Sequence, residues 1–234
     1  MTSKRKKKDY ETELAKAQLE ALKVRMNPHF IANVLTSIRS MMFLDQKDTA
    51  IDYLTLFANL MRKTLDNATK EFISLAAEID YISSYLKMEE LRFAGKFETE
   101  IQIPDSINTA DIIVPPTIFQ PFIENAINHG LMHQLKGGRL TIRFELDSIL
   151  LKCIIEDNGV GRKRSREIET RSITGKSSLS EQITHDRMKL FNKIFHTNEF
   201  SIITEDLYDD SSNPNGTRVI IYLPQISIYD LPKL

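Results

Sequence analysis

The chain has 234 residues, 41% apolar and 27% charged, with eight glycines and eight prolines. That composition gives one compact globular unit plus a helical appendage, and excludes collagen-like and disordered classes. Thirty-one basic against thirty-two acidic side chains leave a formal net charge of −1, so no overall field draws the protein to nucleic acid or anionic lipid.

Five cations fill Lys4 to Lys8 with no apolar core behind them, so this is no secretory signal. The run fits either a solvated tail or the cytoplasmic flank of a membrane helix that precedes this chain. Residues 10 to 44 are strong helix formers, with Ala15, Leu19, Leu22 and Met26 forming a seam for a partner helix. Pro28 bends that helix. After the polar link Asp45 to Asp48, a second amphipathic helix carries Ile51, Leu54, Phe57, Ala58, Met61 and Leu65 on its apolar stripe. So short a connection makes the two helices antiparallel. A third helix starts at the N-cap Ser74 and runs through Leu75, Ile79, Ile82 and Leu86 to about Arg92.

Near residue 96 the pattern changes. Phe97 to Ile103, Leu140 to Leu146 and Thr217 to Leu223 alternate with period two, Leu150 to Ile155 reads as a buried strand and Glu199 to Thr204 as another. Pro116 to His129 and Ser180 to Phe195 read as helices against the sheet, and Arg162 to Ser180 as a mobile polar loop. The fold class is therefore α+β, with mostly antiparallel strands and helices on one face. The division is a helical region 1–72, a connecting helix 73–96 and a sheet domain 97–234. The lone Cys153 lies in a mostly apolar strand, which rules out a disulfide framework and a thiolate zinc site and fits a cytosolic setting. The longest uncharged stretches fall short of the roughly 18 to 20 residues of a membrane span.

Four segments carry candidate chemistry. In Asn27-Pro28-His29-Phe30, His29 lies on the helical face of Asn33, Thr36 and Ser40, opposite Val34, Leu35, Ile38 and Met42. That favours access, although a kinked helix with an incidental surface histidine has the same pattern. Glu124, Asn125 and Asn128 share one side of their helix and offer the hard oxygen donors that Mg²⁺ takes when phosphates hold most of it. Asp157-Asn158-Gly159-Val160-Gly161 ends a strand in a glycine-flanked turn, where backbone approaches a ligand closely and a buried aspartate accepts from an exocyclic amine. A plain β-turn fits the same residues. Arg162, Lys163, Arg164 and Arg166 follow and can neutralise a triphosphate or form a solvated charge run. Asn215-Gly216-Thr217 makes a tight turn into the last strand.

Together these blocks resemble the LytS/YehU-type sensor histidine kinases, from residue 20 to 224. The carriers are Asn27 to Phe30, Leu86 to Phe93, Pro115-Pro116 through Gln120-Pro121, Glu124-Asn125, His129-Gly130, Asp157 to Gly161 and Gly216-Thr217. The resemblance implies a helical dimerisation and phosphoacceptor hairpin followed by an α/β two-layer sandwich of the Bergerat ATPase type. It implies ATP and Mg²⁺, a homodimer, a response-regulator receiver domain as partner, and a cytoplasmic module, membrane-linked only through a segment outside this chain. His29 would be phosphorylated; apart from the resemblance, Asn33 lies one turn on and can accept from the other ring nitrogen. Asn125 would bind the metal, with Glu124 beside it in the metal and proton network. Asp157 would take the adenine amine, flanked by Gly159, Gly161, Gly216 and Thr217, while Asn128 and His129 would lie by the phosphates. Arg187 would anchor the lid. The second glycine box of such kinases stands here as Gly175-Lys176-Ser177-Ser178-Leu179-Ser180. The alternative is therefore a nucleotide-binding signalling scaffold with weak or no phosphotransfer.

Overall fold

The computed structural model describes residues 28–68, 70–134, 137–147, 149–169, 188–189, 192–193, 195, 197 and 199–230, with only the backbone for Pro28, His29, Ala68 and 166–169. The chain divides into two compact units, Met1–Glu71 and Phe72–Leu234. The basic run, the seam at Ala15 to Met26, the bend at Pro28, the second glycine box and Arg187 lie outside the described residues.

In the first unit, α1 (Pro28–Phe43) and α2 (Lys47–Ala68) form an antiparallel hairpin. The turn has a definite cause. Asp45 adopts a left-handed φ of 59°, Asp45 N–H donates to Met42 O at 3.2 Å and Gln46 N–H to Met41 O at 2.9 Å, which closes α1 in a Schellman arrangement. Phe30 then meets Phe57 with ring centroids 6.2 Å apart. Val34 and Met41 of α1 and Ala50, Tyr53 and Leu60 of α2 are buried, with Thr64 and Asn67 continuing the line. The buried stripe of α2 is thus 50, 53, 60, 64 and 67, with Phe57 half-buried in line with it. Of the expected stripe, Phe57 and Met61 are half-buried, whereas Ile51 is 61% and Leu54 50% exposed and Leu65 and Ala58 also face outward. Period-3.5 arithmetic finds both rows, and only packing against α1 chooses between them.

The second unit opens with a two-residue ladder that sequence reading did not foresee. β1 (Ile73–Ser74) pairs antiparallel with β3 (Ile113–Val114). It positions α3 (Leu75–Arg92), whose Ser74 N-cap accepts from Ala77 N–H at 3.2 Å as expected. The two preceding N–H groups, Leu75 and Ala76, donate to Ile112 O and Thr109 O, so three of the orphan donors of this helix start are satisfied. A buried Glu78 extends the tie, accepting from Thr117 N–H at 2.8 Å.

The sheet has strand order β2-β4-β5-β7-β6, formed by β2 (Phe97–Gln102), β4 (Gly138–Asp147), β5 (Leu150–Asp157), β6 (Ser201–Tyr208) and β7 (Pro214–Pro224). Three ladders are antiparallel, and β2 runs parallel to β4 because the chain crosses over between them through α4 (Gln120–Asn125). The inner face stacks in rows: Phe144, Cys153 and Ile221, then Ile142, Ile155 and Val219, then Leu140, Asp157 and Thr217. Phe119 meets Phe144 edge-on at 5.5 Å, and Ile118, Ile123 and Ile127 are buried with it. On the other face Glu145 pairs with Arg143 and Lys152, and Arg218 with Glu156 and Glu205. Helices covering one face are as expected from the period-two alternation.

Two expected boundaries are corrected. The helix foreseen from Pro116 starts only at Gln120, because Thr117 takes a left-handed φ of 58° after two prolines. Arg162 onward is not loop at first: α5 (Gly161–Glu169) occupies that stretch.

Candidate functional site

α4 does not run on as an α-helix. From Ala126 to Gly130 the chain widens into a π turn, followed by a 3₁₀ turn, Leu131–His133. Such turns cost hydrogen-bond geometry and recur at functional positions. This one brings Gly130 against the β5 terminus. A Cβ on Gly130 would sit 2.6 Å from Asp157 Oδ1, one on Gly159 would sit 2.5 Å from Gly130 Cα, and one on Gly216 would lie 1.8 Å from Asp157 O. Gly130 and Gly159 therefore close on the carboxylate and Gly216 on the backbone behind it, because nothing larger fits at any of the three. Gly216 also needs its freedom for a φ of 112°. Val160 N–H donates to Gly130 O at 3.4 Å, lacing the π turn to the glycine turn.

Asp157 is 4% exposed. Gly159 N–H donates to its Oδ1 at 2.8 Å, and the Thr217 backbone N–H also reaches the carboxylate. Burial nevertheless pushes its pKa up to about 6, against the pull of those two donors. A carboxylate on the apolar face of a sheet, with glycine backbone all around, makes a shaped acceptor. Asn158 is the clasp of the turn: its Oδ1 accepts from Arg139 N–H at 2.6 Å, its Nδ2 donates to Gly137 O at 3.0 Å, and Gln134 holds its carbonyl. Gly161, at φ 75°, starts α5 with its missing side chain facing Pro214.

Glu124, Asn125 and Asn128 are half-buried and His129 is exposed. Glu124 Oε1 accepts from Gln120 Nε2 at 2.7 Å, and Gln120 Oε1 accepts from the Tyr81 hydroxyl at 3.0 Å, which fixes the amide's orientation. Burial raises the Glu124 pKa, while the Gln120 bond and Arg92 lower it. Behind them sits a pair the sequence reading gave no role. Arg92, the last residue of α3, bonds Glu89 and also donates to Asn128 Oδ1 at 3.4 Å. Glu89 is fully buried, and burial pushes its pKa up to about 7. The signal was present as a Glu-x-x-Arg spacing at the C-terminal end of a buried helix face.

The structure thus brings Glu124 and Asn125 at the end of α4 next to Asn128, His129 and Gly130 of the π turn, close to Asp157, Gly159, Gly161, Gly216 and Thr217. Arg162, a candidate for phosphate, is instead engaged by Asp206 through two bonds of 2.7 and 2.8 Å. His29 lies in the first described turn of α1, in the other unit. Thr36 and Ser40, on its helical face, are exposed. Among the described residues no cluster of three or more His, Cys, Asp or Glu could hold a metal by itself. The available donors are the amide oxygens of Asn125 and Asn128 and the carboxylate of Glu124, which suits Mg²⁺ carried mainly by phosphate oxygens.

A family model described as histidine kinase matches residues 17–97. The sensor histidine kinase BtsS of Escherichia coli K12 is 33% identical over 147 residues, 62% of this chain and 25% of that protein. The sensor protein LytS of Oceanobacillus iheyensis is 31% identical over 148 residues, 63% of this chain and 25% of that protein. The matched stretch is thus a quarter of either relative. Among solved structures, the mycobacterial sensor histidine kinase MprB aligns over 68% of this chain and 99% of that one, with a TM-score of 0.44 and 18% identity. No residue role is carried over at that distance.

Proposed function

We propose that this chain is a LytS-type sensor histidine kinase, which transfers the γ-phosphoryl group of ATP to His29 and then to an aspartate of a response-regulator receiver domain. The observation that carries this reading is the buried Asp157 in its glycine enclosure, laced to the π turn that follows Asn125 and bears Asn128. The enclosed carboxylate accepts the adenine amine. The neighbouring turn meets the phosphates with amide groups, and Asn125 holds Mg²⁺, which neutralises phosphate charge when bound.

In the transfer, a neutral ring nitrogen of His29 forms a bond to the γ-phosphorus. The bond from that phosphorus to the β-γ bridging oxygen breaks, and ADP leaves with the electron pair. The imidazole proton passes to an acceptor, for which Glu124 is the candidate. In the second step an aspartate oxygen of the receiver takes the phosphoryl group and the phosphorus–nitrogen bond breaks. Asn33, one turn from His29, orients the ring.

The hairpin also supports a homodimer. Leu35 at 58% exposure, Met42, Ile51, Leu54 and Leu65 form a second apolar row beside the one the hairpin buries, and a second copy covers such a row with its own. No helix among the described residues is long and apolar enough to cross a membrane. We place the module in the cytoplasm, as the cytoplasmic part of a sensor.

Incubation with Mg²⁺ and ATP labelled in the γ-phosphate tests the reading. Acid-labile label on the wild type and none on His29→Gln supports it. Nucleotide binding with no label on either protein sinks it in favour of a signalling scaffold, and free phosphate without labelled protein points to a hydrolase.

A further inference from the structure

The Glu89–Arg92 pair has no obvious reason to exist as a stabilising feature. Both side chains are withdrawn from water, yet Glu89 Oε1 and Arg92 Nε are buried without a hydrogen-bond partner among the described residues. A buried ion pair with unmet atoms repays its desolvation poorly, and an apolar pair of similar volume would serve the fold as well. Its placement is the informative part. Arg92 stacks over the Phe93 ring with Cζ 4.3 Å from the centroid. Its Nη2 reaches both Glu89 on α3 and Asn128 on the π turn, and its charge is felt by Glu124. Both bonds leave one nitrogen of a planar guanidinium that stacks on the Phe93 ring, whereas a lysine ammonium on a flexible stem has no plane to stack. Next door, Glu90 anchors the same end of α3 to β2, accepting from Thr99 N–H at 2.9 Å and Thr99 Oγ1 at 2.6 Å.

We propose that Arg92 is a positioning residue of the nucleotide site: anchored by Glu89 and Phe93, it fixes Asn128 in the π turn. It acts on the phosphate end of the ligand through Asn128 and leaves the adenine end, held by Asp157, alone. This rests on the nucleotide-site reading above.

The test compares two ligands on the full chain, Mg²⁺-ATP by calorimetry and adenosine by displacement of a fluorescent nucleotide. Arg92→Lys keeps the charge beside Glu89 and loses the planar group stacked on Phe93. It is expected to weaken Mg²⁺-ATP about tenfold, equivalent to about 1.4 kcal/mol, with adenosine affinity within twofold of wild type. Arg92→Lys on an Asn128→Ala background is expected to add less than a twofold loss, because the link is already cut. Should Arg92→Lys fail to fold, Glu89→Gln loosens the same anchor isosterically and is expected to weaken Mg²⁺-ATP about threefold, again sparing adenosine. Unchanged Mg²⁺-ATP binding in a folded variant, equal losses for both ligands, or losses that multiply on the Asn128→Ala background overturn the proposal. A wild type that takes up no Mg²⁺-ATP overturns the site reading and this inference with it, whereas normal wild-type binding with an unaffected Arg92→Lys overturns the inference alone.

Discussion

Asp157 links stability and ligand chemistry in a single side chain. Its pKa is raised by burial from 3.8 to about 6, so the folded state holds the proton more tightly than the unfolded chain. The carboxylate therefore costs the ligand-free protein stability above pH 6, and the cost fades as pH falls toward 3.8. The shift corresponds to about 3 kcal/mol at most. Asp157→Asn, which keeps the shape and one acceptor oxygen, is expected to raise the melting temperature of the ligand-free protein at pH 7.5 and leave it nearly unchanged at pH 4. The same substitution presents an amide where the adenine amine needs an acceptor, and calorimetry should show a loss of ATP affinity of at least about tenfold. A variant that gains no thermal stability at pH 7.5 contradicts the buried-charge account. Gly216→Ala should behave in the opposite way. Its Cβ would meet backbone, 1.8 Å from Asp157 O, at a φ of 112°, and a loss of several kcal/mol in urea unfolding is expected.

At the scale of elements, the hairpin separates two kinds of apolar residue that composition alone treats alike. Tyr53 is fully buried between α1 and α2, whereas Leu54 beside it is 50% exposed. Tyr53→Ala is expected to destabilise by about 3 to 5 kcal/mol through lost packing. Leu54→Glu should leave the monomer fold intact by circular dichroism and shift sedimentation from dimer toward monomer. A Leu54→Glu protein that remains fully dimeric would remove the apolar row from the interface. Helix boundaries set by local chemistry were legible: Ser74 caps α3 because its hydroxyl is an acceptor one turn before a free N–H. Ser74→Ala should cost about 1 kcal/mol by the same denaturation measurement. The rotational phase of α2 was not legible, because Ile51 and Tyr53 both satisfy a helical period and the partner helix chooses between them. Nor was the start of α4, since Pro116 and Pro121 fit a helix's first turn while the backbone at Thr117 turns the other way.

Across the whole molecule the two units divide the labour, one carrying His29 and the other the enclosed carboxylate. Because each unit has its own buried core, Tyr53→Ala is expected to leave Mg²⁺-ATP affinity within twofold of wild type while lowering the yield of labelled His29. A large affinity loss would contradict the separate cores. From the sequence alone came the α+β class, the hairpin, the five strands of the sheet and the order of the blocks around His29, Asn125, Asp157 and Gly216. All of these follow from short-range periodicity, caps and glycine placement, which are properties of neighbours in the chain. Tertiary structure alone decided that Gly130 closes over Asp157, that Arg162 is spent on Asp206, and that Glu89 and Arg92 stand behind Asn128. Those are contacts between residues tens of positions apart, and close packing of backbone and buried charge, rather than local propensity, determines which of them form.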